Sequence, residues 1–395
     1  MIVEPRPRPA ALPADLLDFD ASITDLDDAI TLPPRCYTSP EFYAFEMEAI
    51  FAREWVCVGR QEQIPNPGDY FTVTVVNDPL LVVRGQDGEI RAMSAVCRHR
   101  GAVLLEGAGN CGRSVTCPYH SWAYDLEGKL LGAPEMTRTR GFDRRAVALP
   151  RVRTELWNGF IFVTFDDETP PLGPRLREVE ALIGNYHIER LVSLPPATYE
   201  QPWNWKVLIE NAMECYHCSY LHRGYHECAP TRNLVMPPPL SHVEEVLVMR
   251  ARTTHPDAAF NPTERVLFPV IETLSEEDRN HFTWICVLPN LVMSCNADNL
   301  HYFMLFPRGP SALTLQLGWC YPESTVNLAR FDDLVEMSTV AYRPLLEQDI
   351  MVNKRVQRGL GSRFAPRGRY AWYEEHLLMF NRWLVKRYKQ ALASS

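Results

Sequence analysis

From Tyr70 to Val76 apolar and polar residues alternate one by one, and two further runs, Leu80 to Arg84 and Glu89 to Val96, flank Gly85-Gln86-Asp87-Gly88. A period of two on either side of a glycine-bounded turn predicts a β-hairpin. A second turn signal follows at Asp125-Leu126-Glu127-Gly128, and an apolar run closes the region at Gly159-Phe160-Ile161-Phe162-Val163. Short strands separated by turns predict a compact all-β unit of about 110 residues. Asp166 to Pro174, with three prolines and a glycine, reads as the linker out of it. Ahead of the β unit, Ser39 as N-cap, Pro40 at the first helical position and Glu41 in the first turn start a helix running to about Arg53, with Phe42, Phe45 and Ala49 at apolar spacing. Residues 1 to 35, rich in Pro and Asp, predict an arm over the surface without a core of its own.

The second half mixes the two periods. A helical stretch from Arg175 to Tyr186 comes first, then a dense helical segment from Ile209 to His222. Pro237-Pro238-Pro239 and the polar region from His255 to Thr263 predict long loops. Phe282 to Leu288, Leu291 to Asn296, Leu300 to Phe306 and Leu313 to Cys320 are strand-like, broken by Pro289-Asn290 and Pro307-Arg308-Gly309. A 3.6-residue pattern from Phe331 to Arg358 predicts a long closing helix. The organisation expected is therefore α+β: an arm and helix over 1–52, a β domain over 53–166, and over 167–395 a domain of antiparallel strands covered by helices.

Composition adds limits. A chain of 395 residues is long enough for two domains with real cores, and its net charge of −9, with Lys and Arg scattered, excludes a nucleic-acid or polybasic membrane surface. Arg6 and Arg8 sit among prolines with no continuous apolar core after them, so no signal peptide is expected, and no apolar run approaches the roughly 18 residues of a membrane span. Eleven cysteines without an export signal point to a reducing compartment, here the cytoplasm.

The segment from Ile209 to His222 packs Glu210, Glu214, Cys215, His217, Cys218 and His222 into what otherwise reads as a buried helix. Asn211, Glu214 and His217 fall at i, i+3 and i+6, on nearly one helical face. His222 lies roughly 140° further round an ideal helix than His217, so both rings converge only if the backbone is irregular near Ser219 to Leu221. Two convergent histidines suit a divalent metal, and the two-histidine, one-carboxylate site of non-haem iron needs a further Asp or Glu. Asp349 has Leu345 and Leu346 one turn before it and Val352 and Val356 one and two turns after, which predicts a core-facing carboxylate. A salt bridge from Asp349 to Arg343 or Lys354 is the alternative, and Glu347, between Arg343 and Met351, has an edge position.

In the β domain, Cys97-Arg98-His99 is followed after 17 residues by Cys117-Pro118-Tyr119-His120. Each arm offers one thiolate and one imidazole. A structural zinc usually takes both Cys from one arm and both His from the other, whereas a Rieske [2Fe–2S] centre takes two Cys on one iron and two His on the other. Gly101, Gly107 and Gly109 are placed to bend the first arm, and Cys111 matches no ligand position.

Cys97-x-His99-Arg100-Gly101 and Cys117-Pro118-Tyr119-His120-x-Trp122 resemble the Rieske motif of the Rieske non-haem iron oxygenases, terminal components of multicomponent hydroxylases. The resemblance extends to Asn204-Trp205-Lys206, to Glu214-x-x-His217-x-x-x-x-His222, and to Gln357-Arg358-Gly359-Leu360 shortly after Asp349. Relatives often carry Glu before the ligand Asp, where this chain has Gln348. The resemblance implies a helix-grip catalytic domain, cluster ligands Cys97, His99, Cys117 and His120, and mononuclear iron(II) on His217, His222 and Asp349. It gives Asn211 and Glu214 catalytic-site positions, Glu214 bridging a neighbour's Rieske histidine in a homotrimer. Glu214, where ring-hydroxylating dioxygenases usually have Asp, is similar to the group of carnitine monooxygenase and the glycine betaine and stachydrine demethylases. The implied activity uses O₂ and electrons from NADH, delivered by a flavin and iron–sulfur reductase; no glycine-rich dinucleotide fingerprint follows a strand in this chain. The substrate expected is a small quaternary or methylated ammonium compound, hydroxylated beside nitrogen, with Trp284, Tyr302, Phe303 and Phe306 as candidates for an aromatic cage. Hydroxylation of an aromatic or apolar scaffold is the alternative, and an electron-transfer protein without oxygenase chemistry a second.

Overall fold

Turn chemistry builds the first unit. In the computed structural model, which describes residues 18–223, 227–235, 244–261 and 263–393, residues 51–170 form one compact unit. Helix α1 (Pro40–Glu46) precedes it, and Ser39 caps that helix by accepting from Phe42 N at 3.2 Å. Instead of running on to Arg53, α1 widens into a π-turn over Met47–Phe51. Ten strands follow: β1 (Val56–Arg60), β2 (Asp69–Val75), β3 (Asp78–Arg84), β4 (Ile90–Ser94), β5 (Ala108–Asn110), β6 (Ser114–Thr116), β7 (Ala123–Asp125), β8 (Leu130–Gly132), β9 (Arg151–Trp157) and β10 (Phe160–Thr164). Seven form an antiparallel sheet in the order β1-β10-β9-β4-β3-β2-β5, and β6-β7-β8 form a second sheet. The expected hairpin joins β3 to β4, with Gly88 at φ +85°. Gly101 and Gly107 have positive φ and bend the first arm, but Gly109 does not; it lies within β5, paired with Tyr70.

The described residues of 18–50 and those from 171 onward form the other unit. Its elements are α2 (Leu172–Ile183), β11 (Val192–Ser193), β12 (Ala197–Gln201), α3 (Trp205–Ala212), α4 (Cys218–Leu221), β13 (Leu234–Val235), β14 (Val246–Arg252), α5 (Glu276–Arg279), β15 (His281–Val287), β16 (Leu291–Cys295), β17 (Leu300–Gly309), β18 (Ala312–Tyr321), α6 (Glu323–Val326), α7 (Phe331–Leu360) and α8 (Glu375–Ala393). The sheet runs β11-β18-β17-β16-β15-β14-β13, with β12 also paired to β18. Every residue of β16 is buried, as expected of a strand covered on both faces. Pro307 does not break its strand, because β17 absorbs it at a bulge and continues to Gly309. The residues before Asp18 and Pro237-Pro238-Pro239 lie outside the described residues. No described helix is long and apolar enough to cross a membrane.

Two buried fasteners hold the helices that matter below. Lys206 of α3, fully buried, places Nζ 2.7 and 2.8 Å from the two oxygens of the equally buried Glu46 and 2.9 Å from Cys36 O. Gln357, near the end of α7, accepts from Asn204 N at 2.8 Å and donates to Tyr37 O and Ser311 Oγ. Asn204 in turn caps α3 by accepting from Lys206 N.

Candidate active site

Helix α3 ends at Ala212, and the break comes earlier than the segment's periodicity predicts. Residues 219–221 are helical in α4, whereas Met213 to His217 are not. The cause is Glu214, whose Oε2 accepts from the backbone N–H of Tyr216 and of His217, offering those amides a partner other than the helix. Its Oε1 meets His217 Nδ1. Glu214 and His217 therefore do not share a helical face with Asn211. Glu210, which does lie in α3, is bonded by Tyr37 OH, and burial pushes its carboxyl up to about 7.

Asp349 enters from α7 with its side chain 19% exposed. Its Oδ1 is 3.1 Å from His222 Nε2 and 3.6 Å from His217 Nε2, and Asn211 Nδ2 donates to it at 3.4 Å. Arg343 and Lys354 are exposed. The core stripe of α7 differs from the expected one: Val356 is exposed, and Tyr342, Leu345, Asn353 and Gln357 are the buried positions around Asp349. Gln348, given no role by the sequence, accepts from His222 Nδ1 at 2.7 Å. With Glu214 and Gln348 each facing an Nδ1 position, both Nε2 atoms are turned toward one carboxylate oxygen.

This donor set fits a metal. The three ligand atoms lie within 4.8 Å of one another. Adjacent ligands at roughly 2.1 Å from a six-coordinate ion stand roughly 3 Å apart, close to the separations seen. Charge agrees: burial pushes the His217 imidazole down, but the Glu214 hydrogen bond and the charges of Glu214 and Asp349 outweigh it and bring the ring up to about 9. A site that holds a proton so firmly has negative charge to spare for a divalent cation. Cys215 and Cys218 sit beside it with Sγ atoms 2.9 Å apart, and burial pushes the Cys218 thiol well up, so it is a packing thiol and not a thiolate donor.

The cluster arms of the first unit match each other. Gly101 N donates to Cys97 O and Ser121 N to Cys117 O, both at 3.1 Å; Cys97 N donates to Ala102 O and Cys117 N to Trp122 O, both at 2.8 Å. The fifth residue of each arm, Gly101 or Ser121, has positive φ. Cys97 and Cys117 are buried, and the rings of His99 and His120 lie nearer the surface with centroids 4.6 Å apart. Trp122 stacks on His99 at 4.8 Å, and Tyr124 OH lies 3.3 Å from Cys97 Sγ. Two thiols inside and two imidazoles outside suit a Rieske cluster better than a tetrahedral zinc. Cys111 stands apart, its thiol donating to Gly68 O.

Beside His217, His222 and Asp349 lies a cavity of about 260 Å³ with walls that include Leu208, Met249, Phe260, Trp284, Phe303 and Leu345. Of the four aromatic residues singled out by sequence, Trp284 and Phe303 line it. Tyr302 and Phe306 do not, because strand side chains alternate and even-numbered residues of β17 point to the other face. Tyr302 instead packs over Gly318, with its hydroxyl 3.3 Å from Ser193 Oγ.

Behind the cavity, buried His301 is bonded to Tyr342 OH and Asn296 Nδ2, both at 3.2 Å, and burial pushes its imidazole down to about 3. An unfolded histidine titrates near pH 6.5, so between about pH 6.5 and 3 the unfolded chain holds the extra proton, and His301 lowers stability by roughly 1.4 kcal/mol per unit as pH falls. Between pH 7.5 and 5.5 the Tm of the wild-type protein is expected to drop more steeply than that of His301→Phe; parallel slopes would show that His301 takes a proton in place.

Residues 54–148 match the family described as the Rieske [2Fe-2S] domain, and residues 188–390 match the ring hydroxylating alpha subunit (catalytic domain). The chain belongs to the Rieske ring-hydroxylating oxygenase α-subunit family. It is 30% identical over 385 residues to the carnitine monooxygenase oxygenase subunit of Acinetobacter baumannii, covering 92% of this chain and 96% of that protein. It is 37% identical over 192 residues to the glycine betaine monooxygenase oxygenase subunit of Chromohalobacter salexigens, 49% of this chain and 43% of that one. The crystal structure of the quaternary ammonium Rieske monooxygenase CntA with L-carnitine superposes with a TM-score of 0.74 at 26% identity, over 95% of this chain and 99% of that one. As a member of this family the protein is an iron-dependent oxygenase subunit with a [2Fe–2S] cluster and a mononuclear iron, served by a reductase and acting on a small molecule.

Proposed function

We propose that the chain hydroxylates a C–H bond next to nitrogen in a small quaternary or methylated ammonium compound. The observation that carries this reading is the convergence of His217, His222 and Asp349 on the wall of a cavity lined by Trp284 and Phe303, in a chain related along nearly its whole length to a carnitine monooxygenase subunit. When bound, the cluster and the iron supply electron transfer and O₂ activation, which no side chain performs. The chain's residues do the rest. Cys97, Cys117, His99 and His120 hold the cluster, and His217, His222 and Asp349 hold the iron. Asn211 steadies Asp349, Gln348 fixes the tautomer of His222, and Glu214 fixes that of His217. O₂, two electrons and two protons convert N–CH₃ to N–CH₂OH and water, and the carbinolamine then releases formaldehyde and the amine; hydroxylation on the longer substituent leads to C–N cleavage instead. An electron-transfer protein without oxygenase chemistry leaves the second, metal-suited site unused.

The electrons come from NADH through a flavin and iron–sulfur reductase, in the cytoplasm, a reducing compartment that suits a chain with eleven cysteines. The assembly is a homotrimer in which Glu214 accepts a fourth N–H, from a Rieske histidine of the neighbouring subunit; a carboxylate has about four lone-pair sites, enough for all of them. Glu214→Gln is then expected to keep its iron but to slow substrate-driven reoxidation of the reduced cluster by about 10–100-fold, read by stopped-flow absorbance. Loss of iron from this variant would make Glu214 a ligand support and nothing more.

The activity is tested by turnover with the reductase. Ammonium substrates are expected to yield formaldehyde or a free amine in step with NADH. If every ammonium compound gave only peroxide while an aromatic acid was hydroxylated, the apolar walls of the cavity would mark a ring-hydroxylating enzyme.

A further inference from the structure

Two polar side chains in the cavity wall have no part in the iron site. Trp203 and Asn353 both line the cavity, each is 1% exposed, and neither Trp203 Nε1 nor Asn353 Nδ2 has a hydrogen-bond partner among the described residues. A buried N–H without an acceptor keeps the cost of having left water, so such donors are rare in a folded chain and mark a place where a partner belongs. The indole nitrogen can only donate, and so can the amide nitrogen of Asn353. The partner they call for is an oxygen acceptor.

Both donors stand on one side of the metal-binding residues. Asn353 lies on α7 one turn beyond Asp349 and one turn before Gln357, and Gln357 Oε1 accepts from the backbone N–H of Asn204, the residue after Trp203. Asn353 is thus about 6 Å along the helix from Asp349, at the end of the cavity that Trp203 also lines. The aromatic wall lies the other way. Tyr342 precedes Asp349 by two turns, roughly 10 Å, and cavity-lining Tyr342 and Trp284 both pack on the ring of His301, at centroid distances of 5.4 and 5.3 Å. An ammonium group suits that wall, and the N–H donors suit the opposite end of the molecule that carries it. We propose that Trp203 Nε1 and Asn353 Nδ2 form a subsite for an oxygen acceptor, a carboxylate or a carbonyl, at the end of the substrate away from its ammonium group. This rests on the ammonium reading and adds the substrate's other end.

The test is calorimetric binding to the oxidised holoenzyme without reductase, where nothing turns over, using ammonium probes of one shape: γ-butyrobetaine, trimethyl(4-oxopentyl)ammonium and trimethyl(4-methylpentyl)ammonium. They end in a carboxylate, a ketone and a hydrocarbon of the same outline. At least one oxygen-bearing probe is expected to bind about tenfold tighter than the hydrocarbon, and the tighter of the two names the acceptor. Trp203→Phe and Asn353→Leu, each checked for an intact Rieske absorption, are expected to shrink that preference while still binding the hydrocarbon probe. If the hydrocarbon binds as tightly as both others, or the preference survives in both variants, the subsite is wrong and the ammonium reading stands. A fourth probe, 6,6-dimethylheptan-2-one, replaces the nitrogen of the ketone by carbon; if it binds as tightly as its ammonium counterpart, the ammonium reading fails and the acceptor subsite stands. No binding of any probe overturns both.

Discussion

Asp349→Ala is expected to lose about one iron atom per chain while the visible absorption of the Rieske cluster survives unchanged. Asp349 Oδ1 is the atom to which both His222 Nε2 and His217 Nε2 are turned, at 3.1 and 3.6 Å, and two imidazoles alone make a poor site for a hard, oxygen-seeking ion. A bound catalytic metal takes several kcal/mol off the rate-limiting barrier, so its loss is expected to lower turnover by at least about 10³-fold. Elemental analysis with the absorption spectrum checks the claim. Retention of all the iron would remove Asp349 from the ligand set, and loss of both signals would mean that the variant had failed to fold.

The largest effect on stability is expected away from the metal, at Lys206. Lys206→Met leaves Glu46 in a fully buried place where, among the described residues, Tyr388 OH and Trp205 Nε1 remain to satisfy it. It also removes a cation lying over the rings of Tyr37 and Trp205, 4.9 and 5.3 Å from their centroids. Breaking one side of a buried ion pair costs about 3–5 kcal/mol, which for a unit of this size lowers Tm by roughly 10 °C. Exchanging both partners, Lys206→Met with Glu46→Leu, is expected to recover most of the loss, because the penalty belongs to the stranded charge. If scanning calorimetry found the double variant less stable than the single one, the pair would be a net contributor in its own right.

What the sequence made legible was local. The hairpin from β3 to β4, the cap of α1 and the mixed Cys/His arms each depend on a few consecutive residues with strong conformational or chemical preferences, and each is where the pattern puts it. Three features were not legible, for different reasons. The break after Ala212 arises from a carboxylate bonding to the backbone two and three residues ahead, a competition that a helical periodicity does not register. On α7 the apolar spacing puts Val352 and Val356 on the core side, but Val356 is exposed and Gln357 is inside because it fastens Asn204, Tyr37 and Ser311. On β17 every residue from Leu300 to Phe306 is buried, so the alternation that would separate Phe303 from Tyr302 and Phe306 is silent.

The bond between Gln357 and Asn204 has a thermodynamic side. It ties α7 to α3 two turns beyond Asp349, where Asn211 bonds Asp349 and His222 bonds Gln348, and a metal held by His217, His222 and Asp349 would draw the same segments together. Binding that only the native chain can offer adds to its stability by mass action, about 2.7 kcal/mol when free metal stands a hundredfold above its dissociation constant. Scarcity of iron therefore reaches beyond idle active sites. It raises the unfolded fraction of the catalytic unit, and with it the share of chains open to proteolysis, so the amount of enzyme and its activity decline together.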